Sequence, residues 1–232
     1  MSECFEMKVI ARIENDFREK FGIPRQSGLV PEMLSRIVFE EEYRFPEALR
    51  GIEGFSHLWL LWEFSESVRD KWSPTVRPPR LGGNARLGVF ATRSPFRPNP
   101  LGLSCVGLKG VEHTKDRGDV LIVTGADLLN GTPIFDIKPY IPYADCVPEA
   151  NGGFTENVGW KALEVIIPPE KLEKVPVSSR EALKKVLSND PRPKYHEDGR
   201  IYRMSFGENE IAFTVKDGVL TVTEADMRKD AP

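Results

Sequence analysis

The chain has 232 residues, a formal net charge of −3 at pH 7 and 40% hydrophobic residues, which is typical of a soluble globular protein. No apolar run is as long as a membrane span, and the first residues lack the basic-then-apolar order of a signal peptide. The three cysteines are far apart and form no Cys-x-x-Cys pair, which argues against a disulfide framework or a zinc site. These features predict a cytoplasmic protein without a metal centre.

The charges are unevenly distributed along the chain. Residues 69–97 contain seven basic residues against one acid, Asp70, whereas the first 68 residues contain eight basic residues and thirteen acids. A local basic patch on an acidic protein favours one specific polyanion docked in one place over nonspecific coating.

Short β patterns dominate the first two thirds of the chain. Strands are predicted at residues 7–13, 30–39, 55–64, 87–92, 104–111, 119–125, 132–140 and 160–167. The nearly continuous apolar run at 55–64 predicts a strand buried on both faces, and a short helix is predicted at 43–49 with Gly51 as its C-cap. Few helical patterns separate the strands, so we expect a mainly β, antiparallel barrel core.

Pro168-Pro169 divides the chain into a predicted barrel domain, residues 1–168, and a small α+β domain, residues 169–232. In the second part Ser179 is a predicted N-cap for a helix through Leu187. Strands are predicted at 201–206, 210–215 and 219–223, and Asp217-Gly218 indicates a hairpin turn between the last two.

The segment 75–104 is the strongest candidate for a functional site. It contains five prolines, no acid and the arginines Arg77, Arg80, Arg86, Arg93 and Arg97. Proline restricts the backbone, so these guanidinium groups are carried on stiff loops that lose little entropy on binding phosphate or carboxylate. The loop at 15–28 is long for a compact domain, which predicts a functional loop that packs through its two phenylalanines.

Motifs for other chemistries are missing or weak. The chain contains no G-x-G-x-x-G after a strand, no Walker A motif and no H-E-x-x-H, and its three histidines are isolated in sequence. His57 lies in an apolar run and is interpreted as a core histidine. Asp127 directly follows a strand, and Asp136, Lys138 and Tyr140 alternate along the next one. Their common face is either solvated or a cleft where Lys138 meets an anion and Asp136 handles a proton.

Three blocks of sequence carry a family resemblance. GFSHLWLLWEF (54–64), VRPPRLGGNARLGVFATRSPFRPNPLGLS (76–104) and DLLNGTPIFDIKPYIPYAD (127–145) resemble the TrmO family, also called the YaeB-like family. DPRPKY (190–195) resembles the C-terminal domain of bacterial members. The resemblance implies a homodimeric tRNA methyltransferase that uses S-adenosyl-L-methionine and is built on a single-sheeted β-barrel. Its implied substrate is N6-threonylcarbamoyladenosine next to the anticodon, which gains a methyl on N6.

The resemblance also implies roles for individual residues. Matched by motif, the cofactor contacts are Pro24, Arg25, Gln26, Ser65, Glu66, Arg93, Leu103, Ala126 and Asp127. Ser65-Glu66 departs from the His-containing pair that is frequent in relatives.

The implied chemistry needs a proton acceptor, because N6 is a poor nucleophile while it keeps its proton. Asp136 or Asp127 is a candidate acceptor, with Tyr140 as an orienting group. Arg97 or Lys138 suits the threonyl carboxylate, and Arg77, Arg80 and Arg86 suit tRNA phosphates. Alternatives are a methyltransferase for another nucleotide or small molecule, a non-catalytic RNA-binding protein, and a hydrolase with Asp127 and Asp136 as paired carboxylates.

Overall fold

The computed structural model describes residues 5–69, 71–78, 81, 85–156, 161–192 and 198–228, which are mainly β as predicted. The strands are β1 (Ala11–Glu14), β2 (Leu34–Phe39), β3 (His57–Glu63), β4 (Thr75–Val76), β5 (Leu87–Gly88), β6 (Leu101–Thr114), β7 (Gly118–Thr124), β8 (Pro133–Pro139), β9 (Glu164–Ile166), β10 (Tyr202–Phe206), β11 (Asn209–Lys216) and β12 (Val219–Met227). The α-helices are α1 (Pro142–Asp145), α2 (Pro169–Leu172) and α3 (Arg180–Ser188). Among the helices in these ranges, none is long and apolar enough to cross a membrane.

Six strands of the N-terminal part pair in an order that closes on itself. The order is β1-β2-β7-β6-β3-β8, and β8 pairs back onto β1 through Ala11 and Ile134. Each of these pairings is antiparallel, as the short connections and alternating patterns predict. Apolar side chains of the six strands fill the space between them and form the first core, with Ile13, Ile37, Leu58, Leu60, Leu121 and Ile134 fully buried.

The C-terminal part forms a second sheet with its own core. Its order is β10-β11-β12-β9, and β9 runs parallel to β12. Helix α3 buries the apolar face predicted for it, with Ala182, Leu183, Val186 and Leu187 at most 2% exposed. The turn at Asp217-Gly218 has φ of 52° and 79°, as the predicted hairpin turn requires. The predicted further strand at 160–167 is shorter and belongs to this sheet rather than to the first.

The long loop after β1 packs against the second sheet, as its phenylalanines predict. Phe17 is 1% exposed and its ring lies edge-on to Phe206 at 6.1 Å between centroids. Phe21 stacks on Phe213 and on Tyr202 at 6.4 and 6.2 Å. The loop is therefore part of the second core although it precedes β2 in the chain.

Some local predictions were wrong in detail. The predicted strand at 87–92 is only β5, because the chain turns into a 3-10 helix at Val89–Ala91. The predicted helix at 43–49 is replaced by 3-10 turns at Glu41–Tyr43, Pro46–Leu49 and Ile52–Gly54. The predicted opening strand is shorter, because only Ala11–Glu14 finds strand partners.

The apolar run at 55–64 alternates rather than being buried on both faces. Leu58, Leu60 and Trp62 are buried, whereas Trp59 and Leu61 lie half-buried on the outer side. His57 is exposed and bonded to Ser56, so its interpretation as a core histidine was wrong. Ser179 precedes α3 as predicted, but its hydroxyl donates to Asp16 at 3.0 Å instead of capping the helix.

Candidate functional site

The candidate site begins where β6 and β7 separate. The first residues of β6, from Leu101 to Val106, pair with β3, whereas pairing with β7 starts only at Gly107 and Thr124. Beyond Thr124 the chain turns away at Gly125, whose φ is +73°. The separation leaves backbone groups of β6 without strand partners on one side, at one end of the closed ring of strands.

The loop at 24–28 fills this gap. Gly28 donates its N–H to the carbonyl of Gly125 at 2.8 Å, and Cys105 of β6 donates its N–H to Ser27 Oγ at 3.2 Å. A Cβ on Gly125 would lie 3.2 Å from the Gly28 backbone, so the close approach requires glycine there as well as the positive φ. The loop thereby joins both separated strands.

Asp127 lies in this gap and is held by a buried hydrogen-bond chain. Trp62 Nε1 donates to Ser104 Oγ at 2.9 Å, and Ser104 Oγ donates to Asp127 Oδ1 at 2.5 Å. Burial raises the pKa of Asp127, and the Ser104 hydroxyl, the backbone N–H groups of Asp127 and Ser27, and the charge of Arg93 oppose this rise. A carboxyl group with a raised pKa inside a gap is a candidate functional group.

Four predicted cofactor residues surround the same gap. Arg93 Nη1 donates to Gln26 Oε1, which ties the arginine-rich segment to the loop. Leu103 is 56% exposed on the outer side of β6, next to Ser104. Ala126, which precedes Asp127, is fully buried and exposes no atom to a ligand in this structure. The fold therefore brings Gln26, Arg93, Leu103 and Asp127 to one place from four separate segments.

Pro24 and Arg25 lie against α3 and the segment that follows it instead. Pro24 is buried, and Arg25 Nη2 donates to the carbonyls of Arg192 at 2.9 Å and Asp190 at 3.5 Å. Both residues line a cavity of about 190 Å³ between the loop and α3. Their side chains therefore attach the loop to α3 and to the segment after it, on the side away from the gap.

Ser65 and Glu66 lie in a 3-10 turn directly after β3. Lys20 of the long loop donates to the carbonyl of Glu66 at 2.5 Å and lies 3.6 Å from its carboxylate. The turn is at the end of the ring where β6 begins, because Glu63 pairs with Leu101. Ser65 and Glu66 therefore lie at the same end of the ring as the gap between β6 and β7.

Asp136, Lys138 and Tyr140 share the outer face of β8. Asp136 pairs with Leu61 and lies 2.7 Å from Lys138, and both charged side chains are well exposed. The Tyr140 ring packs against Trp59 at 5.8 Å between centroids, and burial, followed by its contact with Cys146, raises the pKa of Tyr140. Asp136 faces outward, whereas Asp127 bonds to the inward-facing Ser104, so the two do not form a carboxylate pair.

The arginines of the segment 75–104 differ in exposure. Arg77, Arg86 and Arg93 are exposed, Arg97 is half-buried and donates to the carbonyl of Thr92 at 3.2 Å, and Arg80 lies outside the described residues. Within the described ranges none of the four makes an ion pair with a carboxylate, whereas arginines elsewhere do, as in Arg36–Glu112 at 3.1 Å and Arg117–Glu14 at 2.7 Å. Uncompensated guanidinium groups suit an external anion.

Comparison with known proteins identifies the family. The tRNA-methyltransferase O N-terminal domain model matches residues 12–146, and the TrmO C-terminal domain model matches residues 161–227. The chain belongs to the TrmO family. The tRNA (adenine(37)-N6)-methyltransferase of Escherichia coli K12 is 40% identical over 97% of this chain and 99% of its own length.

Other relatives support the TrmO family assignment. A crystal structure of TrmO from Pseudomonas aeruginosa has a TM-score of 0.78 and 31% identity, covering 97% of this chain and 99% of that one. The human tRNA (adenine(37)-N6)-methyltransferase is 38% identical over a region that spans 59% of this chain and 30% of the human protein. The two TrmO domain models coincide with the two sheets, since the first ends after α1 and the second begins before β9.

Several residues of this candidate site were missed from the sequence. Ser104 bonds to Asp127, Trp62 bonds to Ser104, and Ser27 accepts from the β6 backbone, yet none of the three was predicted as a site residue. The signal available for Ser104 was a polar residue at an inward position of an apolar strand, because such a group needs a buried partner. Its partner could not be read from the sequence, since Trp62 is far away in the chain.

Proposed function

We propose that this chain transfers a methyl group from S-adenosyl-L-methionine to N6 of the adenosine at tRNA position 37. Two relatives that match most of the chain, from Escherichia coli and Eikenella corrodens, carry this activity in their names, and one from Pseudomonas aeruginosa is named a putative S-adenosylmethionine-dependent methyltransferase. The observation that carries the proposal is the meeting of Gln26, Arg93, Leu103 and Asp127 at the gap between β6 and β7. These are four of the nine residues that motif matching assigned to the cofactor.

The residues at the gap fit this cofactor. Arg93 offers an exposed guanidinium group for the methionyl carboxylate, and the Gln26 amide and the loop backbone offer polar contacts. The half-buried Asp127 carboxylate, when ionised, provides negative charge beside them, which suits a cationic ligand. When bound, S-adenosyl-L-methionine supplies a methyl group activated by a sulfonium charge.

We infer that the target adenosine carries a threonylcarbamoyl group. Its N6 is conjugated to the purine and to a carbonyl, so the N6 proton has to be removed, or held in a strong hydrogen bond, for methyl transfer, and a carboxylate is a suitable acceptor. Asp127 is the better candidate, because burial raises its pKa, whereas Asp136 is exposed and paired with Lys138. Tyr140 stays a candidate orienting group, and Arg97 or Lys138 a candidate partner of the threonyl carboxylate.

We assign tRNA phosphates to Arg77 and Arg86, which are exposed and make no ion pair within the described ranges. Arg80 keeps the same predicted role without structural support, because it lies outside those ranges. A non-catalytic RNA-binding protein would use the same arginines. Calorimetry with S-adenosyl-L-methionine alone separates the two, since such a protein would give no heat of binding.

We further infer that the closed pairing order of β1, β2, β7, β6, β3 and β8 is the single-sheeted barrel of the TrmO family. The pairing of β8 with β1 supports this. We place the domain boundary before β9 instead of at residue 168, because β9 pairs with β12.

We also propose a cytoplasmic homodimer. Leu103 and Tyr143 are 56% and 91% exposed, which leaves apolar surface on the outer side of β6 and on α1 for a second copy. Sedimentation velocity tests the dimer, and a purely monomeric species at micromolar concentration would contradict it.

The proposed reaction is tested by mass spectrometry of tRNA nucleosides from cells lacking the gene and from the same cells complemented with it. We expect one methyl group on threonylcarbamoyladenosine to be lost and then restored. An unchanged nucleoside would contradict the substrate assignment. A positive calorimetric result with S-adenosyl-L-methionine would then still support a methyltransferase of another substrate.

A further inference from the structure

Two aromatic side chains of the arginine-rich region, here residues 69–97, face solvent side by side. Trp72 is 49% exposed and Phe90 is 73% exposed, with 6.1 Å between ring centroids and 34° between ring planes. Neither residue was predicted as a site residue from the sequence. Among the described residues, no hydrogen bond or ring contact joins either of them to the gap that holds Asp127. Single exposed aromatic residues are common, but a neighbouring pair forms a surface that calls for a function.

The backbone holds this aromatic pair in place. Phe90 lies in the 3-10 turn Val89–Ala91, and Val89 is buried and donates its N–H to the carbonyl of Pro74 at 3.0 Å. The pairing of β4 with β5 continues this connection through Thr75 and Gly88. The segment after Trp72 is thus hydrogen-bonded to the segment before Phe90, so the aromatic surface is formed before any ligand binds.

Several cations that make no ion pair within the described ranges lie beside Trp72. The Arg69 guanidinium lies 3.7 Å from the centroid of the Phe96 ring. Arg69, Lys71 and Arg97 line, together with Trp72, a cavity of about 120 Å³. In the described part of the chain none of these three cations, nor Arg86, makes an ion pair. The surface on the Trp72 side of the pair is therefore complementary to a polyanion.

We propose that Trp72 and Phe90 form a stacking platform for unpaired bases of the RNA loop that carries the target adenosine. The proposal rests on the proposed function and specifies the form in which the tRNA is recognised. Bases in a single-stranded loop expose their π-faces to aromatic side chains, whereas bases in a duplex are stacked on each other. The unpaired cations would contact the phosphates of the same loop.

The test measures binding of the full-length protein to an anticodon stem-loop RNA and to a blunt RNA duplex of equal length, each over a range of salt concentrations. Trp72→Ala and Phe90→Ala should each weaken stem-loop binding by about 5- to 150-fold, which corresponds to ~1–3 kcal/mol per stacked base. Duplex binding and the salt dependence of stem-loop binding should not change, because no charge is removed. Trp72→Phe keeps an aromatic face and should retain most of the stem-loop affinity of the unmodified protein.

Phe45→Ala is the matched control, since Phe45 is 63% exposed and lies outside the arginine-rich region. Its stem-loop affinity should equal that of the unmodified protein, and thermal melting should show that all variants fold. Unchanged stem-loop binding in both alanine variants, or equal losses on stem-loop and duplex, would overturn the platform. The proposed reaction is judged separately, by methylation of tRNA with the unmodified protein.

Discussion

At the scale of single residues, the Asp127–Ser104–Trp62 chain is the feature with the clearest chemical consequence. Trp62 donates to Ser104 Oγ, so the Ser104 hydroxyl proton is directed to Asp127. Hydrogen bonding favours the charged form of the carboxyl group, and burial favours the neutral form. Ser104 therefore limits how far burial raises the pKa of Asp127.

Ser104→Ala should move the acid limb of the methylation rate to higher pH. The change removes a donor to the carboxylate, so the pKa of Asp127 rises further and a smaller fraction is ionised at any given pH below neutrality. As a proton acceptor Asp127 must be ionised, so activity is lost as pH falls through its pKa. The measurement is the pH profile of kcat/KM, with Ser104→Thr as a control that keeps the hydroxyl.

Two outcomes of this experiment would contradict the role of Ser104. A Ser104→Ala profile that overlays the unmodified one would show that the hydroxyl does not affect the acceptor. A uniform drop in kcat/KM at every pH, without a shift of the limb, would indicate a structural effect only. Binding of S-adenosyl-L-methionine, measured in parallel, separates loss of cofactor affinity from loss of proton transfer.

The sequence predicted the chemical groups of the site better than their supports. Asp127 and Arg93 could be predicted because they lie within recognisable sequence motifs, and both are found at the gap. The Trp62–Ser104 contact depends instead on strand register, in which Trp62 pairs with Gly102. A Cβ on Gly102 would lie 2.2 Å from the Trp62 indole, so the ring fits only beside a glycine. Such a fit is decided by packing across strands and leaves no local pattern.

At the scale of elements, the loop between β1 and β2 connects the gap to the second sheet. Its phenylalanines lie in the second core, and its residues 27 and 28 bond to β6 and to the turn after β7. Gly207 donates its N–H to the carbonyl of Asp16 at 2.8 Å, and Ser205 donates its N–H to Glu19 at 2.7 Å. The second sheet therefore supports the candidate cofactor loop, a role that its balanced charge did not indicate.

Gly22→Ala should weaken S-adenosyl-L-methionine binding although Gly22 does not lie at the gap. Its φ is +98°, and a Cβ would lie 2.4 Å from the terminal carbon of Met204, a fully buried residue of β10. Left-handed strain costs about 1–2 kcal/mol and overpacking about 1–3 kcal/mol. Shifting the loop to relieve both moves Pro24 to Ser27, so we expect a several-fold loss of affinity by calorimetry.

Gly199→Ala provides the matched control for backbone strain. Its φ is +87° and a Cβ there meets nothing within 4 Å, so it should lower the melting temperature but leave cofactor affinity unchanged. Gly22→Ala combined with Met204→Ala should recover part of the affinity by removing the clash. Equal affinities of Gly22→Ala and Gly199→Ala would show that the second sheet does not position the loop.

At the scale of the whole molecule, the mainly β class followed from short alternating segments, but the assembly of the sheets did not. The strands at 119–125 and 219–223 were predicted close to their observed positions because alternation and turn residues are local signals. The membership of β9 in the second sheet depends on a parallel pairing with β12, more than fifty residues later. Nothing within residues 160–167 specifies that partner.

The charge distribution predicts how the whole molecule meets tRNA. The chain has a net charge of −3, so its overall charge does not attract nucleic acid and we expect binding to depend on the local basic segment. Arg77 and Arg86 are exposed on that segment, and within the described ranges neither faces a carboxylate. Arg36 and Arg117 carry the same charge but pair with Glu112 and Glu14.

The double change Arg77→Gln and Arg86→Gln should therefore reduce the salt dependence of tRNA binding more than Arg36→Gln and Arg117→Gln, although both pairs alter the net charge equally. Each lost phosphate contact lowers the slope of log K against log salt by about 0.7–0.9, so the first pair should lower it by roughly 1.4–1.8. The second pair should leave the slope nearly unchanged, because its guanidinium groups are neutralised by neighbouring carboxylates. The measurement is the tRNA dissociation constant over a range of salt concentrations. Equal slopes for the two pairs would mean that overall charge, rather than the arginine-rich segment, governs the encounter with tRNA.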